Sequence, residues 1–124
     1  MTETLPTELT LMAQLRAISA RGDFYTVLYR GDPHSGLILL KWRVRDGVAL
    51  YIQERDFDDG TLKWQQVLPQ TLGVKPQTQN ILDGSLDDRA VEDYMDRAMA
   101  RDPDVWVIEI ETRDTVFPLD GRVI

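Results

Sequence analysis

Residues 37–53 read LILLKWRVRDGVALYIQ, and the way this stretch folds back on itself decides which side chains share a face. Two runs rich in aliphatic and aromatic residues, Leu37 to Val44 and Val48 to Gln53, flank Arg45-Asp46-Gly47. That composition predicts a β-hairpin. A two-residue Asp46-Gly47 loop pairs Arg45 with Val48 and places Lys41, Arg43 and Arg45 among Val48, Leu50 and Ile52. A three-residue loop with Gly47 in the left-handed region pairs Val44 with Val48 instead. It gathers Ile38, Leu40, Trp42, Val44, Val48, Leu50 and Ile52 on one face and leaves Lys41, Arg43 and Tyr51 on the other. Keeping charge out of an apolar face favours the three-residue loop.

Before the hairpin, Leu9, Leu11, Met12, Leu15 and Ile18 recur at helical spacing, with Thr7 as N-cap and Gly22 as the stop; the spacing predicts a helix over 7–21. Phe24 to Arg30 reads as a strand, joined to Leu37 by the turn-forming run Gly31 to Gly36, which predicts two antiparallel strands. After the hairpin, Glu54 to Gly60 is an acidic turn and Thr61 to Leu68 a fourth strand, completing a meander. Pro69 to Gly84 lacks periodicity and is expected to be a long mobile loop. Ser85 caps a second helix whose apolar stripe is Leu86, Ala90, Val91, Tyr94, Met95 and Ala98, stopped by Asp102-Pro103. The last strand, Val105 to Glu111, sets Trp106, Ile108 and Ile110 against Val105, Val107, Glu109 and Glu111, a pattern that places it inside the sheet. The expected fold is α+β: an antiparallel-rich five-stranded sheet with two helices packed on one face, in the order α-β-β-β-β-α-β, as one domain over residues 1–124.

With 124 residues and 43% hydrophobic content the chain can bury a core unaided. It has no cysteine, which removes disulfides, thiolate metal sites and a cysteine nucleophile and suits a reducing cytoplasm. The N-terminus lacks the pattern of a signal peptide and no stretch approaches transmembrane length, so a cytoplasmic, membrane-free protein is expected. The formal charge of −7 is concentrated: residues 83–114 hold eleven acids and four arginines, and the remainder is neutral. Such a balance argues against nucleic acid and for a basic partner.

Three blocks carry a resemblance: Leu5-Pro6-Thr7-Glu8-Leu9 with Leu15-Arg16, the Gly22 to Gly36 segment with Arg30-Gly31-Asp32, and Asp102-Pro103-Asp104-Val105-Trp106-Val107-Ile108-Glu109-Ile110-Glu111 with Arg113-Asp114. In them the chain resembles bacterial domain-of-unknown-function family 1491, departing at Thr10, where the family usually carries tryptophan, and at Arg101, where it usually carries phenylalanine. The resemblance brings no activity, cofactor or catalytic residue to any position.

His34 beside Ser35 and near Asp32 has the residue types of a nucleophile and base, but neighbours in a proline-containing turn point apart, and an ordinary turn is expected. Asp56, Asp58, Asp59 and Gly60 miss a calcium loop by one position and lack its closing glutamate. Asp104, Glu109 and Glu111 offer hard oxygens for a metal or for acid–base work, although a wet strand face gives the same two-residue spacing. No lysine here completes the acid-x-lysine of metal-dependent nucleases. Arg30, Lys41, Arg43, Arg45 and Lys63 with Tyr29, Tyr51 and Trp64 would form a basic-aromatic platform for single-stranded nucleic acid if they shared a face. On the second helix, Asp88, Glu92 and Asp96 are spaced by four, a like-charge stripe that repels itself and faces a basic partner.

The function expected from sequence is therefore a small binding or regulatory module, not an enzyme. It would act through Asp88, Glu92 and Asp96 on a protein partner, which includes a second copy of itself, with no cofactor. The alternatives are a metal-dependent or acid–base hydrolase using Glu109, Glu111 and Asp104, and nucleic-acid binding by the basic-aromatic residues.

Overall fold

The computed structural model describes residues 6–45, 47–68 and 88–124. Helix α1 spans Thr7–Ala20, with Pro6 rather than Thr7 at its N-cap, and ends where Gly22 turns to φ 90°. Strands β1 (Phe24–Tyr29), β2 (Ile38–Val44), β3 (Gly47–Arg55) and β4 (Leu62–Leu68) follow, then helix α2 (Asp88–Arg101) and strands β5 (Trp106–Thr112) and β6 (Arg122–Val123). The proposed loop 69–84 and the Ser85 cap lie outside the described residues. No helix among the described residues is long and apolar enough to cross a membrane.

The fold is α+β, with two helices and one six-stranded mixed sheet in the order β1-β5-β2-β3-β4-β6. Neighbours β1 and β5, β2 and β3, and β3 and β4 are antiparallel; β2 and β5, and β4 and β6, are parallel. The five-stranded expectation missed β6, a two-residue strand too short to register in a pattern. Strand β5 is internal, as its half-buried alternation implied, and it separates β1 from β2.

The Gly31 to Gly36 run is consequently not a hairpin turn. A Cβ on Gly31 would lie 2.1 Å from the carbonyl oxygen of Asp104, and one on Gly36 2.2 Å from the same oxygen. Both glycines are there so that the backbone leading into β5 can pass between β1 and β2. Asp32 N–H donates to that oxygen (2.9 Å), Trp106 N–H to Leu37 O (2.8 Å), and Trp106 Nε1–H to Asp32 O (2.8 Å).

The two helices sit on opposite faces, correcting the expectation of one shared face. Leu11, Leu15 and Ile18 of α1 pack with Ile38, Leu40, Trp42, Val44, Trp106, Ile108 and Ile110. Val91, Met95 and Ala98 of α2 pack with Leu39, Val48, Leu50, Val105 and Val107. Adjacent strand residues point to opposite sides, so these clusters are the two faces of a three-layer sandwich. Phe117, from the segment after β5, closes the α1 layer, its ring 5.6, 5.0 and 5.3 Å from those of Trp42, Tyr51 and Trp64.

The hairpin register also differs. Val44 pairs with Gly47 and Arg43 with Val48, with Arg45 in the left-handed region at φ 55°. Lys41 and Arg43 therefore do share a face with Val48, Leu50 and Ile52, while Ala49 and Tyr51 join Trp42 under α1. The rejected mixing is tolerated because β5, alongside, places Glu109 level with Lys41 and Glu111 level with Arg43. Both faces are buried in large part, so a rule that assigns apolar residues to one face had no purchase.

Candidate functional site

Helix α2 turns Val91, Met95 and Ala98 inward because they recur at three- and four-residue intervals, and the same geometry turns Glu92 and Asp96 outward. Both are exposed, four residues apart, and neither forms an ion pair with a described residue. Asp88 stands one turn earlier, at the first residue of the helix. Two arginines stand beside these positions: Arg97 Nε–H donates to the backbone oxygen of Asp93 at 3.3 Å, and Arg101 closes the last turn.

The β5 carboxylates are dispersed. Glu109 Oε2 lies 3.1 Å from Lys41 Nζ, whose side chain is only 10% exposed, and 4.0 Å from Arg43 Nη2. Glu111 is exposed two residues further on. Asp104 precedes the opposite end of the strand, where its backbone oxygen serves the Asp32 turn and its N–H bonds Asp102 Oδ1 at 3.1 Å. Among the described residues no three histidines or carboxylates gather as a metal-binding group.

The basic-aromatic residues do not share a face either. Tyr51 and Trp64 are buried in the α1 layer, whereas Lys41 lies in the other layer against Glu109. Arg30 pairs with Glu8 and stacks over the Trp106 ring at 5.4 Å, and Lys63 pairs with Asp56 at 3.6 Å.

In the His34 turn, Asp32 accepts from the His34 N–H (3.0 Å) and the Ser35 hydroxyl (3.2 Å). The His34 N–H foremost, with Ser35 adding, holds the Asp32 carboxyl below its ordinary range. Ser35 thus donates to the aspartate directly, and the imidazole does not stand between them. The backbone oxygens of Pro33 and His34 accept from Glu8 and Thr7, which tethers this turn to the start of α1. In the Asp56 turn, Asp59 accepts from the hydroxyl and N–H of Thr61 and is held below the usual carboxylate range for that reason.

One concavity went unread in the sequence. Thr10 and Gln14 of α1, His34, Gln53 and Arg55 of β3, and Asp120 line an open groove of about 690 Å³. Gln53 is buried, at 6% exposure, and lies level with Trp64 in the β3–β4 ladder. Arg55 Nη1 donates to Gly60 O at 2.8 Å. With the register known, the alternation Ala49, Tyr51, Gln53 would have flagged a glutamine on a core face; the register assumed from sequence set it on the wrong side.

A family model described as "Protein of unknown function (DUF1491)" matches residues 5–120. The chain is similar to the crystal structure of a DUF1491 family protein from Caulobacter crescentus CB15, at 28% identity and a TM-score of 0.75, covering 98% of this chain and 100% of that one. An NMR structure of a DUF1491 family protein from Caulobacter crescentus CB15 gives 28% identity and a TM-score of 0.75 over 99% of each chain. The solution structure of protein Atu0922 from A. tumefaciens matches at 25% identity and a TM-score of 0.67, covering 97% of this chain and 98% of that one. No curated protein matches.

Proposed function

The chain belongs to the DUF1491 family, whose function is unknown, and we propose from its own surface that it is a non-catalytic binding module presenting the outer side of α2 to a basic protein. The observation that carries this reading is the pair Glu92 and Asp96, exposed and unmatched by any cation of the described residues. Four carboxylates elsewhere have cationic partners: Glu8 has Arg30, Asp23 has Arg21, Asp56 has Lys63 and Glu109 has Lys41. Like charges four apart on a helix cost a few tenths of a kcal/mol per pair. Retaining that cost next to a well-packed inner stripe fits a surface that is neutralised on binding, with on-rate raised by long-range attraction.

The variant Asp88→Asn, Glu92→Gln, Asp96→Asn keeps every core residue and tests the reading. Immobilised wild type incubated with extract of its own cells is expected to retain a basic protein that raised salt releases. The triple variant should lose it, with an unchanged melting curve. Equal capture by the variant, or capture indifferent to salt, would remove α2 from the interface.

A further inference from the structure

Strand β1 is the terminal strand of the sheet, and among the described residues its only ladder is the one to β5. Among the described residues nothing bonds its outer backbone edge. The side chains along it are apolar and exposed: Phe24 at 70%, with Tyr25, Leu28 and Tyr29 each at more than a third. The six residues FYTVLY contain no charge and no proline. Natural edge strands are guarded by lysines, prolines, inward charges or strong bulges, because an unguarded edge pairs with other chains. The single irregularity here is the register shift between Val27 and Tyr29, which leaves Phe24 to Val27 regular.

Charge selects the occupant. The ionic residues that bracket the strand are satisfied internally, Asp23 by Arg21 (2.8 Å) and Arg113 (4.0 Å), and Arg30 by Glu8. The strand itself thus presents no charge to a basic or an acidic partner; the exposed Glu111 level with Phe24 belongs to β5, on the far side of β1 from the open edge. What matches it is another uncharged strand of aromatic and β-branched residues. A second copy supplies one, and antiparallel pairing about a two-fold axis makes the surface its own complement. We propose that the protein forms a homodimer by antiparallel pairing of β1 with β1 of a second copy, continuing one sheet through both. This rests on β1 alone and not on the α2 reading, and salt separates the two. Copies of net charge −7 repel, so added salt strengthens self-association while it weakens binding of a basic partner.

Sedimentation velocity of the full chain at micromolar concentration tests it. A dimer is expected, with a dissociation constant that falls as salt is raised. Phe24→Lys with Leu28→Lys, at two exposed positions, should weaken it at least tenfold, while Phe57→Lys in the β3–β4 turn leaves it intact; far-UV circular dichroism and melting confirm the fold of each. Should the double variant fail to fold, Thr26→Lys alone makes the same test. A monomer at all concentrations and salts overturns the proposal, and so does a dimer that survives the β1 substitutions in a folded protein.

Discussion

Lys41 sets its Nζ where the side chain retains a tenth of its surface, and the Glu109 carboxylate 3.1 Å away is what makes that position tolerable. Removing one partner of such a pair leaves the other desolvated and unmatched. Glu109 is itself 29% exposed, which brings the cost to the low end of the usual range. Glu109→Gln is therefore expected to destabilise the protein by about 1–2 kcal/mol, and Glu111→Gln, at an exposed position, by under about 0.5 kcal/mol, read as shifts of the urea midpoint. Equal shifts would mean that the pair carries no stability. In the sequence both glutamates read alike, since alternation reports only that they share a face. What separates them is the parallel register with β2, set by residues more than sixty positions away, and no local pattern contains it. The acidic stripe of α2 was legible for the opposite reason: helical spacing alone determines which way Glu92 and Asp96 point.

At the level of elements, the β2–β3 turn carries the largest error and a direct test. Arg45 takes φ 55°, a conformation that costs a side chain bearing a Cβ about 1 kcal/mol relative to glycine. Arg45→Gly is expected to gain about 0.5–1 kcal/mol and to raise the melting temperature by a few degrees. A variant that melts lower would show that the Arg45 side chain contributes more than its backbone strain removes. Apart from β6 and the start of α2, strand and helix positions were readable from periodicity to within one or two residues. Pairing was not: the glycine-flanked segment 31–36 has a turn's composition, but its glycines serve a backbone that arrives from Asp104. Composition tells that a residue lacks a side chain, and only the fold tells what passes through the space.

The whole molecule is three layers with aromatic rings packed beneath α1. Tyr51 is buried there, and desolvation raises its phenol above the ordinary value. The sign follows: the unfolded chain ionises this phenol as pH passes about 10 while the folded chain holds it neutral, so its contribution is intact below that pH and is lost as pH rises further. Unfolding free energy measured at about pH 9 and about pH 11 should fall more in wild type than in Tyr51→Phe; identical losses would mean the phenol is not shielded. The three-layer arrangement itself escaped sequence reading because α1 and α2 each carry an apolar stripe, and the strand alternation between them serves either side. The central place of β5 has one more result, which concerns time rather than shape. During synthesis β1 leaves the ribosome well before its neighbour among the described strands, β5, which is encoded in residues 106–112. The nascent chain must carry an uncharged, β-prone hexapeptide without its β5 partner until residues 106–112 have been made, which makes the synthesis of β5 the step that joins β1 to the sheet.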